Sequence, residues 1–244
     1  MSSISEKVHQ EIWELACKIA ELAVRSKRDL TEIRAPSLTS SKLLLLLDMN
    51  GTLIYRSKTA LDSTYVHLSN GTYYFHRPHV DKFLKFLSSH QHWIDIAFYT
   101  SMTTKNAVLG AQYLLKDMNP IYIYDQPMNK KDPEGPNHWS MMRDLPLIWS
   151  TQNSPGYGHS ERSTIMIDDS WAKMREHPGN VIVIPEFNES DVLLRKDDVL
   201  ENLQSVLSKI LEEAAILRHR ADFDIREILR AHSSELVFEG ALVN

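Results

Sequence analysis

The stretch Leu43-Leu44-Leu45-Leu46-Leu47-Asp48-Met49-Asn50-Gly51-Thr52-Leu53 decides the fold. Five consecutive leucines with no polar alternation describe a strand buried on both faces, as in a parallel sheet covered by helices. The run ends on an acid followed by a tight loop of phosphate-binding size, where a carboxylate can serve as a nucleophile. Two residues on stands Asn50, and an amide neither gives nor takes a proton as a carboxyl does. The same stretch therefore also supports a site that binds without turning over.

The surrounding chain suits one α/β domain with terminal additions: 244 residues carry a substantial core. Its 27 basic and 32 acidic residues give a net charge of −5, so no electrostatic affinity for nucleic acid or an anionic membrane is expected. Cys17 is the only cysteine, which excludes intrachain disulfides and multi-cysteine zinc sites. No apolar run is long enough to span a membrane, and Glu6, Lys7, Glu11 and Glu14 stand where a signal peptide would be apolar. The expectation is a soluble, intracellular protein of the cytoplasm or nucleus.

Upstream, Ile4, Val8, Ile12, Leu15, Ile19 and Leu22 form the stripe of an amphipathic helix over 4–34, and 35–41 reads as a linker. From Lys42 short apolar runs alternate with helical segments. The strands predicted are Leu43–Asp48, Ile94–Thr100, Ile121–Tyr124, Thr164–Asp168 and Val181–Pro185. Tyr65 to Phe75 alternates around Asn70-Gly71 and predicts a β-hairpin lying beside the site as a flap. Pro78 can open a helix whose apolar face is Val80, Phe83, Leu84 and Leu87. Residues 125–139 and 151–163 read as surface loops. Leu193 to Arg218 and Phe223 to His232 read as C-terminal helices, the first facing the core with Leu203, Leu207, Ile210 and Leu211. The resulting division is an N-terminal helix and linker (1–41), a core domain (42–210) and a C-terminal helical extension (211–244).

Three strand ends carry polar groups where an open parallel sheet binds its ligand: Asp48, Thr100-Ser101 and Asp168-Asp169-Ser170. One acid at a strand end is usually a turn or capping residue; three such endings are harder to dismiss. Together with Tyr74-Phe75-His76-Arg77-Pro78 before a helix, Phe98-Tyr99-Thr100-Ser101-Met102, Met142-Arg143-Asp144-Leu145 and Ile165-Met166-Ile167-Asp168-Asp169-Ser170, these motifs resemble the haloacid-dehalogenase-like superfamily. Within it they resemble the small C-terminal-domain phosphatases, the NLI-interacting-factor-like family, over roughly Lys42 to Ile210. Asp48-Met49-Asn50-Gly51-Thr52 is similar to the D-x-D-x-T loop of that family, with Asn at its second acidic position.

The resemblance implies a Rossmann-like sheet flanked by helices without a large cap domain, and a magnesium-dependent phosphatase using an aspartyl-phosphate. It makes Asp48 the nucleophile, and Asp48, the backbone carbonyl of Asn50, Asp168 and, through water, Asp169 the Mg2+ ligands. Thr100, Ser101 and Arg143 would hold phosphoryl oxygens, and Thr52 would support the loop. Arg143 stands in place of the family's lysine and keeps the charge. Asn50 stands in place of the carboxyl that protonates the leaving oxygen and activates water, a loss worth ~10²–10⁴-fold. His76, His79, His138 and His159 are the candidate substitutes for that carboxyl. The substrate implied is a phosphorylated Ser/Thr protein segment. The competing implication is an impaired pseudophosphatase that binds a phosphopeptide or a protein, in a scaffold or translocase-type role.

Some of these residues also have purely structural readings. Arg77 suits fixing the flap–helix junction better than touching substrate. Thr100 could merely cap the following helix, as Thr103 or Thr104 could. The five tryptophans suit packing better than a groove.

Overall fold

The computed structural model describes residues 42–61, 67–69, 71–115 and 121–241. The N-terminal helix and linker expected over 4–41, and Tyr65, Val66 and Asn70 of the expected hairpin, lie outside the described residues.

Five strands form one parallel sheet: β1 (Leu43–Leu47), β5 (Ile94–Tyr99), β6 (Tyr122–Tyr124), β9 (Thr164–Asp168) and β10 (Val181–Val183). Their order across the sheet is β10-β9-β1-β5-β6. All five predicted strands are present, each within two residues of its expected ends. The leucines of β1 occupy the middle strand and are buried on both faces, which explains why the run never alternates. From β1 the chain adds β5 and β6 on one side, then returns to add β9 and β10 on the other. That reversal opens a crevice at the carboxyl end of β1, the place where such sheets bind ligands.

The expected hairpin is present as β3 (His67–Ser69) and β4 (Thr72–His76), antiparallel with Ser69 opposite Thr72 and Gly71 at φ 63°. A third strand, β2 (Ile54–Ser57), pairs with the other edge of β4 and makes a three-stranded sheet. The sequence reading missed it because four residues emerging directly from the Asp48 loop carry too little pattern to register. Helix α1 (Val80–Ser88) buries Val80, Phe83, Leu84 and Leu87, as its spacing predicted. It begins two residues after Pro78, because His79 occupies the N-cap position at φ 65°.

After β5, α2 (Thr104–Leu114) leads towards β6. The expected loop over 125–139 contains β7 (Asn129–Lys131), which pairs antiparallel with β8 (Met141–Arg143). Helix α3 (Leu145–Ser150) follows, with the Asp144 side chain accepting from Leu147 N. The helix predicted from Leu193 is two helices, α4 (Glu189–Leu194) and α5 (Val199–Leu217). Asn188 and Asp191 form a capping box that starts α4 early, and Arg195 in the left-handed region ends it. Helix α5 buries Leu203, Leu207, Ile210 and Leu211 and runs unbroken across position 210, and α6 (Ile225–Ala231) closes the described fold.

Arg77 ties these layers together. It is buried, its Nε donates to both carboxylate oxygens of Asp197 (3.1 and 2.9 Å), and Nη1 donates to the carbonyls of Thr52 and Pro185. Asp197 in turn accepts from Val199 N at the start of α5. The structural reading of Arg77 is the one its contacts support.

Candidate active site

The register of the parallel sheet builds the site. Leu47 lies opposite Phe98 on one side and Ile167 on the other, so Asp48, Thr100 and Asp168 emerge at one end of three adjacent strands. Asp48 is anchored by its own N–H, which donates to the carbonyl of Ile167 at 2.9 Å. The loop that follows is compact: the Met49 carbonyl accepts from Thr52, Leu53 and Ile54, and Gly51 N–H donates to Ile54. Gly51 sits at φ 86°, and a Cβ there would lie 2.2 Å from Asp169 Oδ2. Glycine is thus required twice, for its conformation and for the approach of the acid.

Asp48, Asp168 and Asp169 each offer a carboxylate oxygen, and these oxygens lie within 4.8 Å of one another. Asp48 and Asp168 are buried and Asp169 is half-buried. Like charges this close need counter-charge, and two cations supply it. Arg143 is fully enclosed. Its Nε and Nη2 donate to Asp168 Oδ2 (2.9 and 2.7 Å), and Nη2 lies 2.8 Å from Asp48 Oδ1. Nη1 donates to Asn129 Oδ1 at 3.0 Å and Ser101 Oγ at 3.4 Å, and the guanidinium lies over the Tyr99 ring. Lys173 approaches the same acids with a side chain 25% exposed. Its Nζ donates to Asp169 Oδ1 at 3.0 Å and Asp168 Oδ1 at 3.3 Å, and lies 3.7 Å from Asp48 Oδ2.

The titration behaviour follows from this arrangement. Burial alone would raise the Asp168 carboxyl, but Arg143 and Lys173 override it and hold it below the usual carboxylate range. Asp169 moves the other way: burial first, then repulsion from Asp48 and Asp168, outweighs Lys173 and raises it. Burial works against the charge on Lys173, and the three acids more than restore it, so its ammonium is held above its ordinary value.

The remaining expected residues fall as follows. Thr100 is buried and its Oγ1 accepts from Met102 N at 3.2 Å; the helix N-cap is Thr103, so Thr100 does not cap α2. Thr52 is buried with a hydroxyl that finds no hydrogen-bond partner among the described residues, and its carbonyl receives Arg77. Asn50 Oδ1 and Asp48 Oδ2 are likewise buried without a hydrogen-bond partner. Of the histidines, His159 is held by Asp95 near the start of β5, at the opposite end of the sheet from the site. His79 lies beside Asp198, and the His138 ring meets that of Trp139, which is exposed.

Two contributors were absent from the sequence reading. Asn129 donates to the carbonyls of Thr100 and Asp125 and accepts from Arg143; a single asparagine in a polar segment gives no signal of that role. Lys173 did leave a signal, since it follows Asp169 by four residues, a spacing that lets a lysine reach back to the acid.

An all-oxygen set of converging carboxylates, with buried Asp48 Oδ2 and Asn50 Oδ1 lacking hydrogen bonds, fits a hard divalent cation. Among the described residues no helix is long and apolar enough to cross a membrane.

Comparison with known proteins agrees with this fold. A solved structure of the fission yeast RNA polymerase II CTD phosphatase Fcp1 bound to beryllium fluoride superposes with a TM-score of 0.53 at 14% identity, covering 79% of this chain and 71% of that one. A second, described as Fcp1, an essential RNA polymerase II CTD phosphatase, gives 0.54 at 13% identity over 79% and 70%. At these identities the likeness establishes the fold. No curated protein matches in sequence. The profile of the NLI interacting factor-like phosphatases matches residues 43–217, from the first leucine of β1 to the last residue of α5, and the chain therefore belongs to that family.

Proposed function

We propose that this chain is a phosphatase-type domain in which Asp48 attacks a phosphoryl group and becomes transiently phosphorylated, with Mg2+ held by Asp48, Asp168, Asp169 and the carbonyl of Asn50. The observation that carries this reading is the state of Asp48. Arg143 fixes Oδ1, while Oδ2 is buried, without a hydrogen bond, and beside two further acids. A divalent cation bound there would offset repulsion between carboxylate and phosphate and polarise the phosphoryl oxygens.

In the first step a bond forms between one carboxylate oxygen of Asp48 and phosphorus as the bond from phosphorus to the leaving oxygen breaks. The leaving oxygen departs with the electron pair and needs a proton. In the second step water attacks the aspartyl-phosphate, gives up a proton, and releases inorganic phosphate and the free carboxylate. Asn50 can assist neither transfer, since an amide is too weak an acid and too weak a base to act as a general acid or base near neutral pH. Substrates with good leaving groups should suffer least from this. Thr100 and Ser101, at the end of β5, would meet phosphoryl oxygens.

The substrate class proposed is a phosphorylated Ser/Thr segment of a protein. The family match supports it, as does the small size of the insertion between β1 and α1, which among the described residues is a three-stranded sheet. A second reading, a phosphopeptide-binding module with little turnover, is favoured by one observation, the amide of Asn50 at the position of proton exchange.

Purified protein with Mg2+ and an aryl phosphate tests the first reading. Release of phosphate by the wild type, and loss of at least a hundredfold on Asp48→Asn, is the expected result. Equal rates for the two proteins would remove Asp48 from the mechanism.

A further inference from the structure

Arg143 and Lys173 touch the same carboxylates, yet they differ in what they can still do. Each of the three guanidinium nitrogens of Arg143 already faces an acceptor of this chain: Asp168, Asp48, Asn129 or Ser101. The side chain has no exposed surface, and the Tyr99 ring covers one face of it. A planar fork held on all its edges cannot turn toward an incoming ligand without abandoning those bonds. Lys173 differs on each count. Its side chain is 25% exposed, and it makes two hydrogen bonds with three available N–H groups. Its ammonium rides on a flexible four-carbon stem. It is also 3.7 Å from Asp48 Oδ2, the carboxylate oxygen that lacks a hydrogen bond.

We infer that Lys173 is the cation that receives the phosphoryl group, and that Arg143 is a positioning residue that aims Asp48 and Asp168 without touching substrate. This assignment rests on the phosphatase reading of the site and moves the phosphate-contacting charge from the β8 strand to the turn that follows β9. Lys173 meets phosphoryl oxygens beside Asp48 Oδ2 from the solvent side. Arg143 holds the acids from beneath. The ligand class is a phosphate monoester or the inorganic phosphate dianion, recognised by a mobile point charge.

The experiment measures binding of inorganic phosphate to the full chain in the presence of Mg2+ by calorimetry, alongside aryl phosphate turnover. Lys173→Met should weaken phosphate binding by about tenfold to a hundredfold, the loss typical of a hydrogen bond to a charged group. Lys173→Arg should restore most of it, which separates charge from a folding defect. Arg143→Lys should leave phosphate binding within about twofold while lowering kcat, because Asp48 loses its aim. Unchanged phosphate binding in Lys173→Met, loss of binding in Arg143→Lys alone, or a wild type that binds no phosphate at millimolar concentration overturns the assignment. The phosphatase reading is judged separately: turnover that survives Asp48→Asn defeats it whatever Lys173 does, and turnover that requires Asp48 sustains it even when Lys173 proves silent.

Discussion

At the scale of single residues, Asn50 has the largest leverage on chemistry for the smallest change in shape. Asparagine and aspartate differ by one terminal group, and the loop around Asn50 is fixed by backbone bonds to Met49 and Ile54 that do not involve its side chain. Asn50→Asp should therefore preserve the loop and raise hydrolysis of an alkyl phosphate by ~10²-fold or more, with a smaller gain on an aryl phosphate. Initial rates on the two substrates check this; an equal or absent gain would mean that proton transfer does not limit turnover. Arg77 makes the opposite point, since its leverage is on stability. The Arg77–Asp197 pair is buried, and removing one partner strands the other charge. Arg77→Met should cost about 3–5 kcal/mol in urea unfolding. Adding Asp197→Leu should recover part of that, because the stranded acid is then gone.

At the scale of elements, the sheet was legible because its strands state their environment plainly. Leu43 to Leu47 and Ile165 to Ile167 are apolar without alternation and lie side by side in the middle of the sheet. Strand β8 was not legible: its three residues, Met141–Arg143, form a strand only because Asn129–Lys131 lies opposite. Tertiary pairing decides such segments, not local pattern. The split between α4 and α5 was hidden for a similar reason, since Asp197 both receives Arg77 and opens the next helix. The start of β5 carries a testable element-level contact. Asp95 accepts from Lys42 at 3.0 Å, just before β1, and lies 3.3 Å from His159 Nε2. Burial would raise its carboxyl, but the hydrogen bonds from His159 and Lys42 prevail and hold it below the ordinary value. A carboxylate depressed in the folded state stabilises fully above its unfolded pKa of about 3.9, and that contribution is lost as pH falls through the folded value. Asp95→Asn should therefore cost about 1 kcal/mol near neutral pH, with the gap to wild type closing below about pH 4. Thermal unfolding across pH checks this, and a gap that widens on acidification would reverse the sign of the assignment.

At the scale of the whole molecule, the net charge of −5 conceals the local concentration of charge that defines the site. Asp48, Asp168 and Asp169 converge from two strand ends that are 120 positions apart in sequence, and only the parallel register brings them together. Sequence motifs located the acids; the distances among them, and the two cations that hold them, needed the fold. The fold brings three acids to one point, and burial with mutual repulsion works against the charge on Asp169, so a divalent cation that relieves this repulsion should bind the folded chain and not the unfolded one. At a hundredfold excess over its dissociation constant such a ligand stabilises by about 2.7 kcal/mol. For a chain of this size the melting temperature should rise by about 2–4 °C per kcal/mol. Mg2+ should raise the melting temperature of the wild type, while sodium chloride at matched ionic strength should not. Asp168→Asn should abolish the rise, because the buried acid shared by Arg143 and Lys173 is then neutral. An equal Mg2+ response in Asp168→Asn would place the cation elsewhere on the molecule. The exposed His79, Asp198 and Glu201 would then be the next place to look, since their ligand atoms also lie within 4.8 Å of one another.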